Sequence, residues 1–217
     1  MLNTVIFDLD GTLIDSRSDI MDSLSKAFYD CCGTDLPIKE LKIGSPLEDM
    51  LQSVSSELSK LKISEIILSF RAYYKNSGFS QTKYFDGIVP LLSALQQRSC
   101  RMFIATNKPL LITKKILHTF GYDFVGDNIM AIDSLIGKKL TKSEMLNELV
   151  IKYKLIKNNC IFIGDSPSDI DAAKLVGLSS VAVGYGYYEK KELMRSFPDF
   201  YSETVDELSS LLLTNLN

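Results

Sequence analysis

Residues 5–15 read VIFDLDGTLID, an apolar run that ends on two carboxylates, Asp8 and Asp10, and then turns on Gly11. Short apolar runs of this kind are the signature of a buried parallel strand, and open α/β sheets bind their ligands beyond the carboxyl ends of such strands. Asp and Gly are also ordinary turn residues. The stretch alone therefore leaves a plain turn and a ligand site equally open, and the rest of the chain has to decide.

Runs like Thr4 to Phe7 recur at Met102 to Ala105, Ile129 to Ile132, Ile161 to Ile163 and Val181 to Val183. Helical patterns lie between most of them: Ile112, Ile116 and Phe120 share one face, and Met145, Leu146, Leu149 and Tyr153 share another. Strands alternating with helices predict an α/β fold with a doubly wound parallel sheet. One interval breaks the alternation. From residue 16 to about 80 no strand is evident, but Ile20, Leu24, Ala27, Phe28 and Cys31 follow a helical stripe, as do Ile63, Ile66, Ile67, Phe70 and Tyr74. The expected organisation is a core of residues 1–14 and 81–217 with an all-helical cap, 15–80, inserted after the first strand. Leaving the core there, the insertion is expected on the ligand side of the sheet.

Composition narrows the function. A chain of 217 residues, 46% of them hydrophobic, is long enough to bury a substantial core. Its 24 basic and 27 acidic residues are scattered and sum to a net charge of -3, which argues against nucleic acid or an anionic membrane as partner. No apolar run reaches the roughly 18 residues of a membrane span, and the acids within the first ten residues do not suit a secretory leader. The four cysteines show neither disulfide-framework nor zinc-site spacing, so a reduced, cytoplasmic protein is expected. His118, the single histidine, lies in an apolar-periodic stretch and reads as a packed or surface helical residue. Neither a CxxxxxR thiol-phosphatase loop nor a GxxxxGK[ST] phosphate loop is present.

Three further stretches fall where later strands should end. In ATNKP, residues 105–109, Pro109 suits the first turn of the next helix; Thr106 or Asn107 reads first as a helix cap, with a hydroxyl and free N–H groups for an anion as the alternative. In LTKSEM, residues 140–145, Thr141 and Glu144 fit a capping box that places Lys142 on the first helical position, a poor site for a cation unless an anion is nearby. In IFIGDSPSDIDAA, residues 161–173, Ser168 and Asp171 fit another capping box, and acids such as Asp169 suit a helix start. Asp165 directly follows the strand and is left unexplained by capping. If Asp8, Asp10 and Asp165 converge, a cation is needed to relieve them, and all-oxygen ligands favour Mg²⁺.

The four stretches in this order resemble the motifs of the haloacid dehalogenase-like hydrolase superfamily, over essentially the whole chain including the inserted helical cap. YFDGIVPLLSAL (84–95) and GYGYYEKKEL (184–193), together with ATNKP, are most similar to the branch of phosphoglycolate phosphatases and 5'-nucleotidase-type phosphatases. The resemblance implies a phosphatase acting on a small phosphorylated metabolite. Asp8 would be the nucleophile that carries an aspartyl phosphate, and Asp10 the general acid and base. Mg²⁺ would be held by Asp8, the Asp10 carbonyl, Asp165 and Asp169. Thr106, Asn107 and Lys142 would grip the phosphoryl group. The second acid, Asp10, favours phosphoryl transfer over dehalogenation.

Rival expectations are a sugar phosphomutase with the same motifs, a phospho-accepting signalling or binding module, and a pseudoenzyme. Substrate choice is assigned to the insertion. There IGSPLEDM, residues 43–50, offers a loop with Gly44, Ser45 and Pro46, and Arg71 in SFRAYY offers a cation; an ordinary helix connection and a solvated arginine explain them as well. GKKLTKSEM is closer to the 5'-nucleotidase type than to the Lys-Pro of many phosphoglycolate phosphatases, so phosphoglycolate, a nucleoside monophosphate and a sugar phosphate all stay open. The expected assembly is a monomer or small homo-oligomer.

Overall fold

The computed structural model describes residues 2–37, 41, 43–54, 58–121 and 126–215. The chain separates into two compact units, Met1–Asp15 with Tyr84–Asn217, and Ser16–Lys83.

The first unit is built on a six-stranded sheet. Its strands are β1 (Thr4–Phe7), β4 (Arg101–Thr106), β5 (Ile129–Ala131), β6 (Cys160–Gly164), β7 (Ser179–Val183) and β8 (Phe200–Ser202), in the order β5-β4-β1-β6-β7-β8. Every neighbouring pair is parallel. A separate two-stranded sheet pairs β2 (Ile14–Asp15) with β3 (Lys83–Tyr84). The central strand, TVIF, is buried along its whole length, as a parallel strand covered on both faces must be. On one face Ile6, Phe103 and Phe162 pack with Met145, Leu146 and Leu149 of α6 (Lys142–Tyr153) and with Ala172, Ala173 and Val176 of α7 (Pro167–Val176). Each large side chain buried there contributes on the order of 2 kcal/mol. Further helices of this unit are α4 (Ile88–Gln97), α5 (Leu110–Thr119), α8 (Lys190–Arg195) and α9 (Val205–Asn215).

The doubly wound expectation holds. From β1 the sheet grows one way through β4 and β5 and the other way through β6, β7 and β8. The strand order therefore reverses at β1, and that reversal opens the crevice in which such sheets bind ligands.

One strand is not foreseen from the sequence, and two local expectations need correction. β8, FYS, carries no apolar run; its pattern runs from exposed to buried, and it is fixed by pairing Phe200, Tyr201 and Ser202 with Val181, Ala182 and Val183. The capping box at α7 is formed by Ser166 and Asp169 rather than by Ser168 and Asp171, because Pro167 takes the first helical turn. Pro109 is the residue before α5 rather than within its first turn, so neither Thr106 nor Asn107 caps that helix. The box at Thr141 and Glu144 is formed, with Lys142 opening α6.

The second unit contains α1 (Arg17–Cys32), α2 (Leu47–Val54) and α3 (Lys60–Asn76). α1 buries Ile20, Leu24, Ala27 and Phe28, and α3 buries Ile63, Ile66, Ile67 and Tyr74, the stripes that pack these two helices together. Buried Asp19 accepts the Gln81 N–H at 3.0 Å and the Thr82 hydroxyl at 2.6 Å, tying the start of this unit to its end. The stretch 43–50 is only half loop: Ile43 to Pro46 precede α2, and Leu47 to Met50 are its first turn. Among the described residues no helix is long and apolar enough to cross a membrane, and all four cysteines are free thiols.

Candidate active site

The site is assembled from the carboxyl ends of β1, β4 and β6 and from the amino ends of α6 and α7. Asp8 leaves β1, and its Oδ1 accepts the Leu9 N–H at 2.7 Å. Asp165 follows Gly164 at the end of β6. Asp169 is held by its own capping box, in which its Oδ2 accepts the Ser166 N–H at 3.1 Å and the Ser166 hydroxyl at 2.6 Å. Glycine is required at Gly164 by close approach, since a Cβ there would lie 2.3 Å from the Asp169 Cβ. These constraints bring one oxygen each of Asp8, Asp165 and Asp169, all buried, within 4.8 Å of one another.

Lys142 answers part of that charge. Its Nζ lies 2.8 Å from Asp8 Oδ1 and 3.0 Å from Asp169 Oδ1, and it donates to the Ala105 carbonyl at 3.1 Å. The poor electrostatics of a lysine at a helix start are thereby reversed by the acids it meets. Burial alone pulls the Lys142 ammonium down, but Asp169 and Asp8 hold its pKa above the ordinary lysine value. One cation against three acids leaves an excess of negative charge. Burial raises Asp8 to about 7 against the pull of Lys142, with Asp169 adding to the rise. Asp165 is raised well above the carboxylate range by burial, then by Asp169 and Asp8.

That cluster fits a divalent cation. The donors are all hard oxygens, and Asp165 Oδ1 is fully buried with no hydrogen-bond partner. Asp8, Asp165 and Asp169 are the side chains that would hold it.

Asp10 stands apart from the three acids, its Oδ1 3.1 Å from the Nζ of Lys108, whose side chain is 5% exposed. Sequence reasoning missed Lys108, although it lies in ATNKP; the signal available was its position one residue past Asn107 at a strand end. Thr106 is buried at the end of β4, and its Oγ1 accepts the Lys108 N–H at 3.1 Å. Asn107 is half-buried beside it. The candidates Gly44, Ser45, Pro46 and Arg71 belong to the second unit, Arg71 exposed on α3 and the other three just before α2.

Comparison with known proteins accords with this geometry. The family model described as haloacid dehalogenase-like hydrolase matches residues 5–183. Tyrosine-protein kinase PtkA of Mycobacterium tuberculosis is 30% identical over 96% of this chain and 72% of its own length. A 5'-nucleotidase of Pseudomonas aeruginosa is 30% identical over 96% of this chain and 94% of its own. A phosphoglycolate phosphatase of Colwellia psychrerythraea is 28% identical over 94% of both. Among solved structures, that of a predicted phosphatase from Clostridium acetobutylicum superposes with a TM-score of 0.90 at 30% identity, over 99% of both chains.

Proposed function

Because the chain belongs to the haloacid dehalogenase-like hydrolase family, we propose that it is a Mg²⁺-dependent phosphatase hydrolysing a small phosphomonoester through an aspartyl phosphate on Asp8. The observation that carries this is the buried meeting of Asp8, Asp165 and Asp169, with Lys142 paired to Asp8 and Asp169 and with Asp10 two residues beyond Asp8.

Asp8 is oriented for attack because the Leu9 N–H and Lys142 both engage its Oδ1, which leaves Oδ2 as the attacking atom. When bound, Mg²⁺ supplies the positive charge that keeps Asp8 ionised and offsets the charge of the phosphoryl oxygens. Oδ2 forms a bond to phosphorus as the ester P–O bond breaks, and Asp10 gives its proton to the departing alkoxide. Asp10 then takes a proton from water as the water attacks phosphorus and the bond to Asp8 breaks, releasing inorganic phosphate. Lys142, Thr106 and Asn107 stabilise the equatorial oxygens during both transfers. A phosphoryl oxygen takes the place of one of the three acceptors that Lys142 now holds.

Support for the substrate class comes from the relatives named 5'-nucleotidase and phosphoglycolate phosphatase. Glycolate phosphate, a nucleoside monophosphate and a sugar phosphate are the candidates, with selection assigned to the helical unit around Gly44, Ser45, Pro46 and Arg71. The enzyme acts in the cytoplasm, a placement supported by its free thiols.

The test is phosphate release from p-nitrophenyl phosphate and a metabolite panel, with Mg²⁺ or with EDTA. Mg²⁺-dependent release that Asp8→Asn reduces by at least a thousandfold is expected. Wild-type rates in Asp8→Asn would remove the nucleophile assignment. An isomerised sugar phosphate without released phosphate would make the protein a mutase. Phosphotyrosine formed from ATP in place of phosphate release would align it with the kinase relative.

A further inference from the structure

Asp165 is gripped from a direction that the four motifs do not account for. Its Oδ2 accepts the Tyr187 N–H at 2.7 Å, while its Oδ1 is buried without a hydrogen-bond partner. The carboxylate sits between two glycines. A Cβ on Gly186 would lie 2.3 Å from Asp165 Cβ and 2.5 Å from the Gly11 carbonyl; one on Gly11, whose φ is +79°, would lie 2.1 Å from Asp165 Oδ2. The loop that carries Gly186 is itself anchored to the turn after β1. The Tyr185 hydroxyl donates to the Thr12 carbonyl at 3.1 Å, and the Tyr185 ring meets Phe85 edge-on at 5.1 Å. The Tyr187 hydroxyl lies 3.5 Å from the Ile14 carbonyl and 3.4 Å from Asp15 Oδ1.

We propose that Tyr185, Gly186 and Tyr187 form a positioning clamp for a divalent cation: the Tyr187 N–H occupies one oxygen of Asp165 and thereby commits the other to the metal. This rests on the assignment of the acid cluster as a cation site. A free carboxylate offers a cation either oxygen or both; the N–H takes up a lone pair of Oδ2, and Oδ1, buried without a partner, is the oxygen left to receive the cation. Partners that orient a ligand in this way typically govern metal affinity by 10- to 100-fold when removed. Small flanking residues are needed because the peptide chain itself has to touch the ligand: Gly11 and Gly186 admit Asp165 where any side chain would displace it.

The test is calorimetric titration of the full-length protein with Mg²⁺ and with Mn²⁺, the latter also followed by electron paramagnetic resonance. Wild type should bind one ion, and Gly186→Ala should bind it at least tenfold more weakly, with an altered Mn²⁺ spectrum. If wild type binds no ion at millimolar concentration, the cation-site assignment itself fails. If wild type binds and Gly186→Ala matches it within twofold with the same spectrum, the clamp fails and the cation site stands. Should Gly186→Ala not fold, the double variant Tyr185→Phe/Tyr187→Phe keeps every Cβ and removes both hydroxyl tethers. A threefold or greater loss of Mn²⁺ affinity in it supports the clamp, and unchanged affinity overturns it.

Discussion

Asp165→Asn should make the metal-free protein more stable while abolishing its stabilisation by Mg²⁺. Asp8, Asp165 and Asp169 place one oxygen each within 4.8 Å of one another. At an effective dielectric of about 20, unit charges at that separation repel by about 3–4 kcal/mol per pair. Neutralising Asp165 removes two of the three pairs, and the loss of its attraction to Lys142 and the partial protonation of Asp8 and of Asp165 itself offset much of the gain. The expected net effect is about 1–3 kcal/mol at pH 8, or roughly 2–12 °C in Tm for a chain of this size. Asparagine preserves the acceptor for the Tyr187 N–H, so the change isolates charge.

The pH dependence follows from Asp8 and Asp165, both held above the ordinary carboxylate range. For Asp8 the folded pKa of about 7 lies above the ordinary 3.8, so between those values the folded state holds more protons than the unfolded one. The associated stability is fully present below about pH 4 and is lost as pH rises through about 7. It amounts to about 4 kcal/mol for an isolated group. Asp165 is likewise raised well above its ordinary value by burial and then by Asp169 and Asp8, so the cost of holding it in the folded protein also grows with pH, and the advantage of Asp165→Asn should be large at pH 8 and small at pH 5. Scanning calorimetry of both proteins at both pH values, with EDTA or with Mg²⁺, reads this directly. Wild type at Mg²⁺ of 100 times Kd should gain about 2.7 kcal/mol, and Asp165→Asn should gain nothing measurable. A destabilised metal-free variant at pH 8, or an equal Mg²⁺ gain in both proteins, would refute the reasoning.

Lys108→Met should lower kcat by about 10- to 100-fold with little change in KM, because the ammonium 3.1 Å from Asp10 Oδ1 orients the proton donor, whose role is worth about 10²–10⁴; Lys108→Arg should recover part of the loss, and steady-state kinetics check both. Asp10→Asn should slow both formation and breakdown of the phosphoenzyme in single-turnover experiments, and intact rates for both steps would reject its dual role. Thr141→Ala breaks the capping box of α6 and should cost about 1 kcal/mol, seen as a Tm lower by roughly 2–4 °C.

Much of the fold was legible because its signals are local. The five runs from Thr4–Phe7 to Val181–Val183 are buried strands, each needing only a short apolar segment between helical patterns. β8 was not legible, since FYS is an edge strand held by register against β7 rather than by its own composition. The capping box at α7 was displaced by two residues because Ser166 and Ser168 are both good caps in a chain of alternating Ser and Asp; the turn at Pro167 chose between them.

By itself the amino-acid sequence determined which residues are able to do chemistry: acids, a lysine and a threonine at the ends of short apolar runs, in an order shared with a known superfamily. Tertiary structure alone decided how they are paired. Lys142 meets Asp8 and Asp169 while Lys108 meets Asp10, and the Tyr187 N–H, 22 residues beyond Asp165, engages its Oδ2 while Oδ1 stays buried without a hydrogen-bond partner. The reason is physical: an apolar run or a cap is stabilised by its own neighbours, whereas the state of a buried charge depends on every group that folding brings within a few ångströms of it.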